Sequence, residues 1–149
     1  MPNFRAPKSD IHFIARGLLV QGDSVILCKA KEEDWFFLPG GHVESGESAR
    51  TTLLRELKEE IGKGDYNISS FLGVCENVFT LEGEQLQHEV NIVFKVDVPP
   101  NVTLNSLEEH IEFVSFKTET LNEHKILPEA LKTGLLEWLE DGRPFLKEL

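Results

Sequence analysis

GHVESGESARTTLLRELKEEIGK, residues Gly41 to Lys63, decides how this chain is read. An apolar stretch, Trp35-Phe36-Phe37-Leu38, runs into Pro39-Gly40-Gly41, and a helical segment follows from Glu47 or Ser48 to Ile61, with Gly62 and Gly64 to stop it. At about 100° per residue, Glu56, Glu59 and Glu60 fall within one arc of roughly 100°. Leu53, Leu54, Leu57 and Ile61 occupy another arc, centred about 120° away. One face is therefore expected to pack on a core while its neighbour is acidic. Like charges at i,i+3 and i,i+4 destabilise a helix by roughly 0.2–0.5 kcal/mol per pair. Crowded carboxylates on a rigid element are relieved by a cation, and hard oxygen ligands suit Mg²⁺ or Mn²⁺. The glycine pair lets backbone approach a ligand without interference from a Cβ.

The spacing Gly41-x5-Glu47-x7-Arg55-Glu56-Leu57-x-Glu59-Glu60-x-Gly62 resembles the Nudix box of the Nudix hydrolases. Every fixed position matches except the final bulky aliphatic, where Lys63 stands. Lys63 lies beyond the acidic cluster, so the departure touches packing at the helix end. The resemblance implies an α/β fold, an α/β/α sandwich with a mixed β-sheet and the box as loop–helix–loop. It also implies site roles. Glu59 and Glu60 resemble the main metal ligands of the box, and Glu56 a further ligand or the base that accepts a proton from the attacking water. The carbonyl of Gly40 resembles the family's backbone ligand. Arg55 would orient the glutamates, and Glu47 would hold the loop against the helix start. The family often draws one more glutamate from outside the box. Glu108, Glu109 and Glu112 are the candidates here, and Glu109 is favoured because it stands at a loop-to-strand junction.

The implied activity is Mg²⁺-dependent hydrolysis of a phosphoanhydride bond in a nucleoside diphosphate linked to another moiety, with Mn²⁺ as the alternative ion. A nucleoside-triphosphate or nucleotide-sugar pyrophosphatase ranks first, and ADP-ribose remains open. The proline that ADP-ribose hydrolases of the family often carry beyond the box is absent from Glu76-Asn77-Val78-Phe79-Thr80. A non-catalytic, nucleotide-binding regulatory domain is the alternative, disfavoured because such domains usually lose box carboxylates. Many relatives form dimers, which leaves a homodimer open, and the residues do not decide the oligomeric state.

The bulk properties agree. A chain of 149 residues fits a single domain, 1–149, with a real core. A net charge of −11 argues against general nucleic-acid binding, which needs a basic surface. A bound cation reconciles that charge with a phosphate substrate. Cys28 and Cys75 lie in apolar runs and read as small buried hydrophobes. No run approaches a membrane span, and Met1–Asp10 is polar and unlike a signal peptide, so a cytoplasmic protein is expected.

Along the chain, Ile11–Val20 and Val25–Cys28 read as a hairpin about Gln21-Gly22-Asp23-Ser24. Ile68–Thr80 and Gln85–Val98 are two further strands with a turn at Glu82-Gly83-Glu84, and Glu112–Phe116 is another. Thr120–Lys125 reads as loop or turn. Pro128–Leu139 is a second amphipathic helix, with Leu131, Leu135 and Leu139 one turn apart. His12, His42, His88, His110 and His124 lack helical metal-ligand spacing; His42, His88 and Asn91 are candidates to face the ligand, and Trp35 and Phe37 to stack on a base.

Overall fold

The computed structural model describes residues 10–149 except Glu82 and Glu84. Expectations for Met1–Ser9 and for two residues of the Glu82-Gly83-Glu84 turn lie outside the described residues. The strands are β1 (Ile11–Gln21), β2 (Ser24–Ala30), β3 (Phe36–Phe37), β4 (Gly40–His42), β5 (Asn67–Leu81), β6 (Gln85–Asp97), β7 (Ile111–Lys117) and β8 (Phe145–Lys147). The helices are α1 (Ala49–Ile61) and α2 (Glu129–Asp141), with a 3₁₀ turn at Thr118–Glu123.

All eight strands join one mixed sheet. Its main path is β3-β2-β1-β6-β5-β8, with β4 added to β1 and β7 to β2. β1 and β6 run parallel, as do β5 and β8, and the other pairs are antiparallel. Side chains alternate across β1, so Leu18 and Leu19 serve different cores. Leu18, Val25, Leu27, Leu72 and Val93 pack beneath α2 against Leu131 and Leu135. Ala15, Leu19, Ile26, Phe94 and Val96 pack beneath α1 against Leu53 and Leu57. The sheet is thus sandwiched between two helices, the α/β/α arrangement expected.

Local chemistry explains both helices. Ser48 is the N-cap of α1, its hydroxyl accepting from the Thr51 N–H at 3.1 Å, and Gly62 ends the helix with its N–H on the Lys58 carbonyl. Pro128 precedes α2 in extended geometry, and Gly142, at φ 70°, closes it in the left-handed conformation.

Three details depart from expectation. Gly40–His42 forms a short strand rather than a loop, because its backbone pairs with Ile14–Arg16 of β1. β8 adds three residues beside Gly73–Cys75 of β5. Leu54 does not join the core; it is 37% exposed while Leu53 is fully buried, since α1 rests on the sheet through Leu53 and Leu57.

Candidate active site

Two places on β1 organise the site. On the α1 side, Gly40 sits at φ +153°, and any Cβ there would collide with the Ala15 carbonyl. A Cβ on Gly41 would strike the Glu56 carboxylate. The glycine pair therefore lets β4 lie between β1 and the acidic face of α1.

Arg55 organises the carboxylates. Its Nε and Nη2 each donate to Glu47 at 2.9 Å, a two-point pair that ties the loop to the helix. Nη1 donates to Glu56 at 3.0 Å and to Glu59 at 3.4 Å, and Nη2 reaches the His42 carbonyl at 3.3 Å. The Arg55 hydrogen bonds pull the Glu47 carboxyl down to about 2, and the same bonds hold the Arg55 guanidinium above its ordinary value. Glu47 also accepts from the Thr52 hydroxyl at 3.0 Å, which explains a polar residue on the buried side of α1.

Glu60 lies outside Arg55's reach. Burial first, then the charges of Glu56 and Glu108, push its carboxyl up to about 8. Its Oε2 is buried and has no hydrogen-bond partner. Burial likewise raises the Glu56 carboxyl, with Arg55 opposing and Glu59 adding to the shift. Among the described residues, no group of three or more His, Cys, Asp or Glu side chains is placed to hold a metal ion. The carboxylates form an open platform instead. An orphaned buried oxygen beside raised carboxylates fits a divalent cation that completes its shell with water and substrate oxygens.

The outside-box candidates separate clearly. Glu108, not the favoured Glu109, faces the platform: it lines a small hollow of about 70 Å³ with Glu60, Cys28 and Phe37. The Leu107 N–H donates to the Glu60 carbonyl at 2.9 Å, and the Ser106 hydroxyl accepts from the Glu108 N–H at 3.0 Å. These bonds fasten the loop to the end of α1 and turn Glu108 inward. Glu109 lines a separate groove with Lys31, Glu32 and Glu33, and Glu112 pairs with Lys29 at 3.5 Å on β7.

On the α2 side, a cleft of about 670 Å³ is lined by Arg16, Trp35, Phe37, Asn77, Phe79 and Glu89, with Glu129 at its edge. Trp35 and Phe37 stand 5.8 Å apart, ring to ring. Phe37 borders both this cleft and the Glu60 hollow. Asn91, fully buried, accepts from the Arg16 Nε at 2.6 Å and donates to the Cys75 carbonyl at 3.2 Å. Burial pushes the Arg16 guanidinium below its ordinary value, opposed by the charges of Glu89 and Glu60.

Sequence reasoning passed over Arg16, although an arginine inside the apolar run Ile11–Val20 was a visible anomaly. It also passed over Asn77, Phe79 and Glu89. Of the histidines, His42 comes against the platform through its carbonyl on Arg55 and its charge near Glu56. His42 points to His12, Nε2 to Nδ1 3.1 Å, and His124 stacks on Phe116. His88 pairs across to Val78 in the β5–β6 ladder. Cys28 and Cys75 are buried and free, and burial raises both thiols, Cys75 to about 11. No described helix is long and apolar enough to cross a membrane.

A mixed sheet between two helices, with a glycine pair set against an acidic helix at one edge, defines an α/β/α sandwich, and comparison with known proteins gives the family. The chain belongs to the Nudix hydrolase family: the NUDIX domain model matches residues 11–141. An ADP-ribose pyrophosphatase of Methanocaldococcus jannaschii is 34% identical over 85 residues, 55% of this chain and 48% of that protein. The chain thus spans about half the length of this curated relative. Among solved structures, a MutT protein from Methanosarcina mazei Go1 superposes with a TM-score of 0.72 at 19% identity, covering 93% of this chain and 99% of that one. A mutator MutT protein from Bacillus halodurans gives 0.67 at 21% identity, covering 91% and 86%. At these identities the likeness is one of fold.

Proposed function

We propose that this domain hydrolyses a phosphoanhydride bond in a nucleoside diphosphate linked to another moiety, using Mg²⁺ or Mn²⁺. The observation that carries the proposal is Glu60: a half-buried carboxylate whose buried Oε2 is orphaned, beside Glu56 and Glu108 and against the Gly40 backbone. Glu56, Glu59, Glu60 and the Gly40 carbonyl would hold the ion, with Glu108 in the outside-box position in place of Glu109. The ion, when bound, neutralises charge on the phosphate oxygens and lowers the pKa of a coordinated water.

The chain's own residues do the rest. Arg55 fixes Glu56 and Glu59 relative to the loop through Glu47, so the carboxylates are oriented before substrate arrives. Glu56 accepts the proton of the attacking water as its oxygen bonds to phosphorus. The bridging P–O bond breaks, and the leaving phosphate departs with the electron pair. The aromatic cleft receives the nucleoside side of the substrate. The Methanocaldococcus relative is named for ADP-ribose, a nucleoside diphosphate joined to a sugar, which supports the substrate class.

The test is product release from nucleoside triphosphates, nucleotide sugars, ADP-ribose and dinucleoside polyphosphates, with and without Mg²⁺. Hydrolysis that needs the metal and disappears in Glu60→Gln supports the proposal. Inactivity across the panel overturns it.

A further inference from the structure

The strongest unassigned feature is Arg16. Its side chain lies on the α2 face of β1, the face shared by Leu18, and lines the aromatic cleft. It is half-buried, and a charge withdrawn from water is costly unless paired. Its partners are neutral: the Asn91 Oδ1 at 2.6 Å and the Leu38 carbonyl at 3.0 Å. Among the described residues it forms no ion pair. Glu89 and Glu60 supply its main negative field from either side, without contact.

These contacts hold the guanidinium in place and leave donors free. A guanidinium has five N–H groups in a planar fork suited to phosphate. Nε and one Nη1 hydrogen are used by Asn91 and Leu38. Asn91 is itself fixed through the Cys75 carbonyl, so the fork cannot swing away. Arg16 is bonded to Leu38, two residues before Gly40, and lies in the same cleft as Trp35 and Phe37. A cation in that position stands between a place for a base and the acidic platform.

We propose that Arg16 is a substrate-binding residue that takes a phosphate of the nucleotide lodged in the aromatic cleft, and that Asn91 is the positioning residue that presents it. The anion supplies the ion pair that the fold leaves out. This assignment rests on the nucleotide-hydrolase reading for its ligand, yet it concerns binding alone and is measured without metal.

The experiment is isothermal titration in EDTA with AMP, GMP and UMP, each against its nucleoside. Wild-type protein is expected to bind at least one monophosphate ten-fold or more tighter than the matching nucleoside. Arg16→Met should bring that ratio close to one with nucleoside affinity unchanged, and Asn91→Ala should lower it several-fold. A merely structural role for Arg16 would instead weaken nucleoside and monophosphate alike. Should Arg16→Met fail to fold, Arg16→Lys, which keeps the charge but loses the fork, should still lower the ratio. An unchanged ratio in the folded variants, or no monophosphate binding to wild type, overturns the proposal. Failure of the turnover panel alongside an Arg16-dependent ratio would remove the hydrolase reading and leave this site standing.

Discussion

Arg55 grips Glu47 with two hydrogen bonds of 2.9 Å and reaches Glu56 and Glu59 with its remaining nitrogen. One guanidinium thereby sets the distance between the box loop and the acidic face of α1. Lysine would supply the charge but not the fork. Arg55→Lys should reduce kcat/KM by about 10²-fold, the scale of a misplaced catalytic group. Steady-state kinetics on the best substrate of the panel, with circular dichroism to confirm folding, decides it; near-normal turnover would remove Arg55 from the machinery.

Acid should expose the same pair. The folded value of Glu47 lies at about 2 against an ordinary 4.5. A depressed carboxyl stabilises the fold above its unfolded value and loses that contribution as pH falls through the folded one. The Tm advantage of wild type over Glu47→Gln should therefore be steady above about pH 4.5 and shrink as pH falls towards 2. An advantage that grows on acidification contradicts the assignment.

Glu60 should couple metal to stability. Saturating Mg²⁺ at about 100 times its Kd would add about 2.7 kcal/mol, or roughly 5–10 °C in Tm for a chain of this size. Glu60→Gln should lose most of that increment while its metal-free Tm at neutral pH is no lower than wild type, because the fold must hold the Glu60 carboxyl protonated well above its ordinary 4.5 and the amide needs no such proton. A full Mg²⁺ shift in the variant would place the ion elsewhere.

Gly41→Ala adds one methyl against the Glu56 carboxylate. Overpacking of this kind costs about 1–3 kcal/mol. The predicted signature is a modest fall in denaturant midpoint with a disproportionate loss of metal-dependent rate, since Glu56 must yield. A stability loss with unaltered rate would show that Glu56 is free to move without consequence.

Leu53 and Leu54 are neighbours with different surroundings. Leu53→Ala should destabilise by about 2–5 kcal/mol. Leu54→Ala should cost under about 1 kcal/mol, as surface changes do. Urea unfolding of the two variants is a direct comparison, and equal losses would put Leu54 in the core.

Local signals reached most of the architecture. The strand runs, the Ser48 cap, the Gly62 stop and the acidic arc of α1 are all set by residues within a turn or two of one another. Contacts between distant segments were not legible. β8 follows Gly142-Arg143-Pro144 and is only three residues long, so it has no room for periodicity, and its existence depends on parallel pairing with β5. Glu108 and Glu109 are chemically alike, and the hydrogen bond from Leu107 to Glu60 selects between them. The placement of Leu54 depends on how α1 rolls onto the sheet. Arg16 was visible as an oddity, but its partner Asn91 is supplied by β6, which lies beside β1 in parallel.

Alternation along β1 carries one more implication. Ala15 backs the glycine pair, and Arg16, the next residue, opens onto the cleft. The remaining cleft side chains come from Trp35 and Phe37, from β5 and β6, and from the start of α2, with none from α1. Mutation can rewrite what the pocket admits without disturbing the helix that carries the carboxylates, so a lineage built on this sheet can change its diet while keeping its teeth.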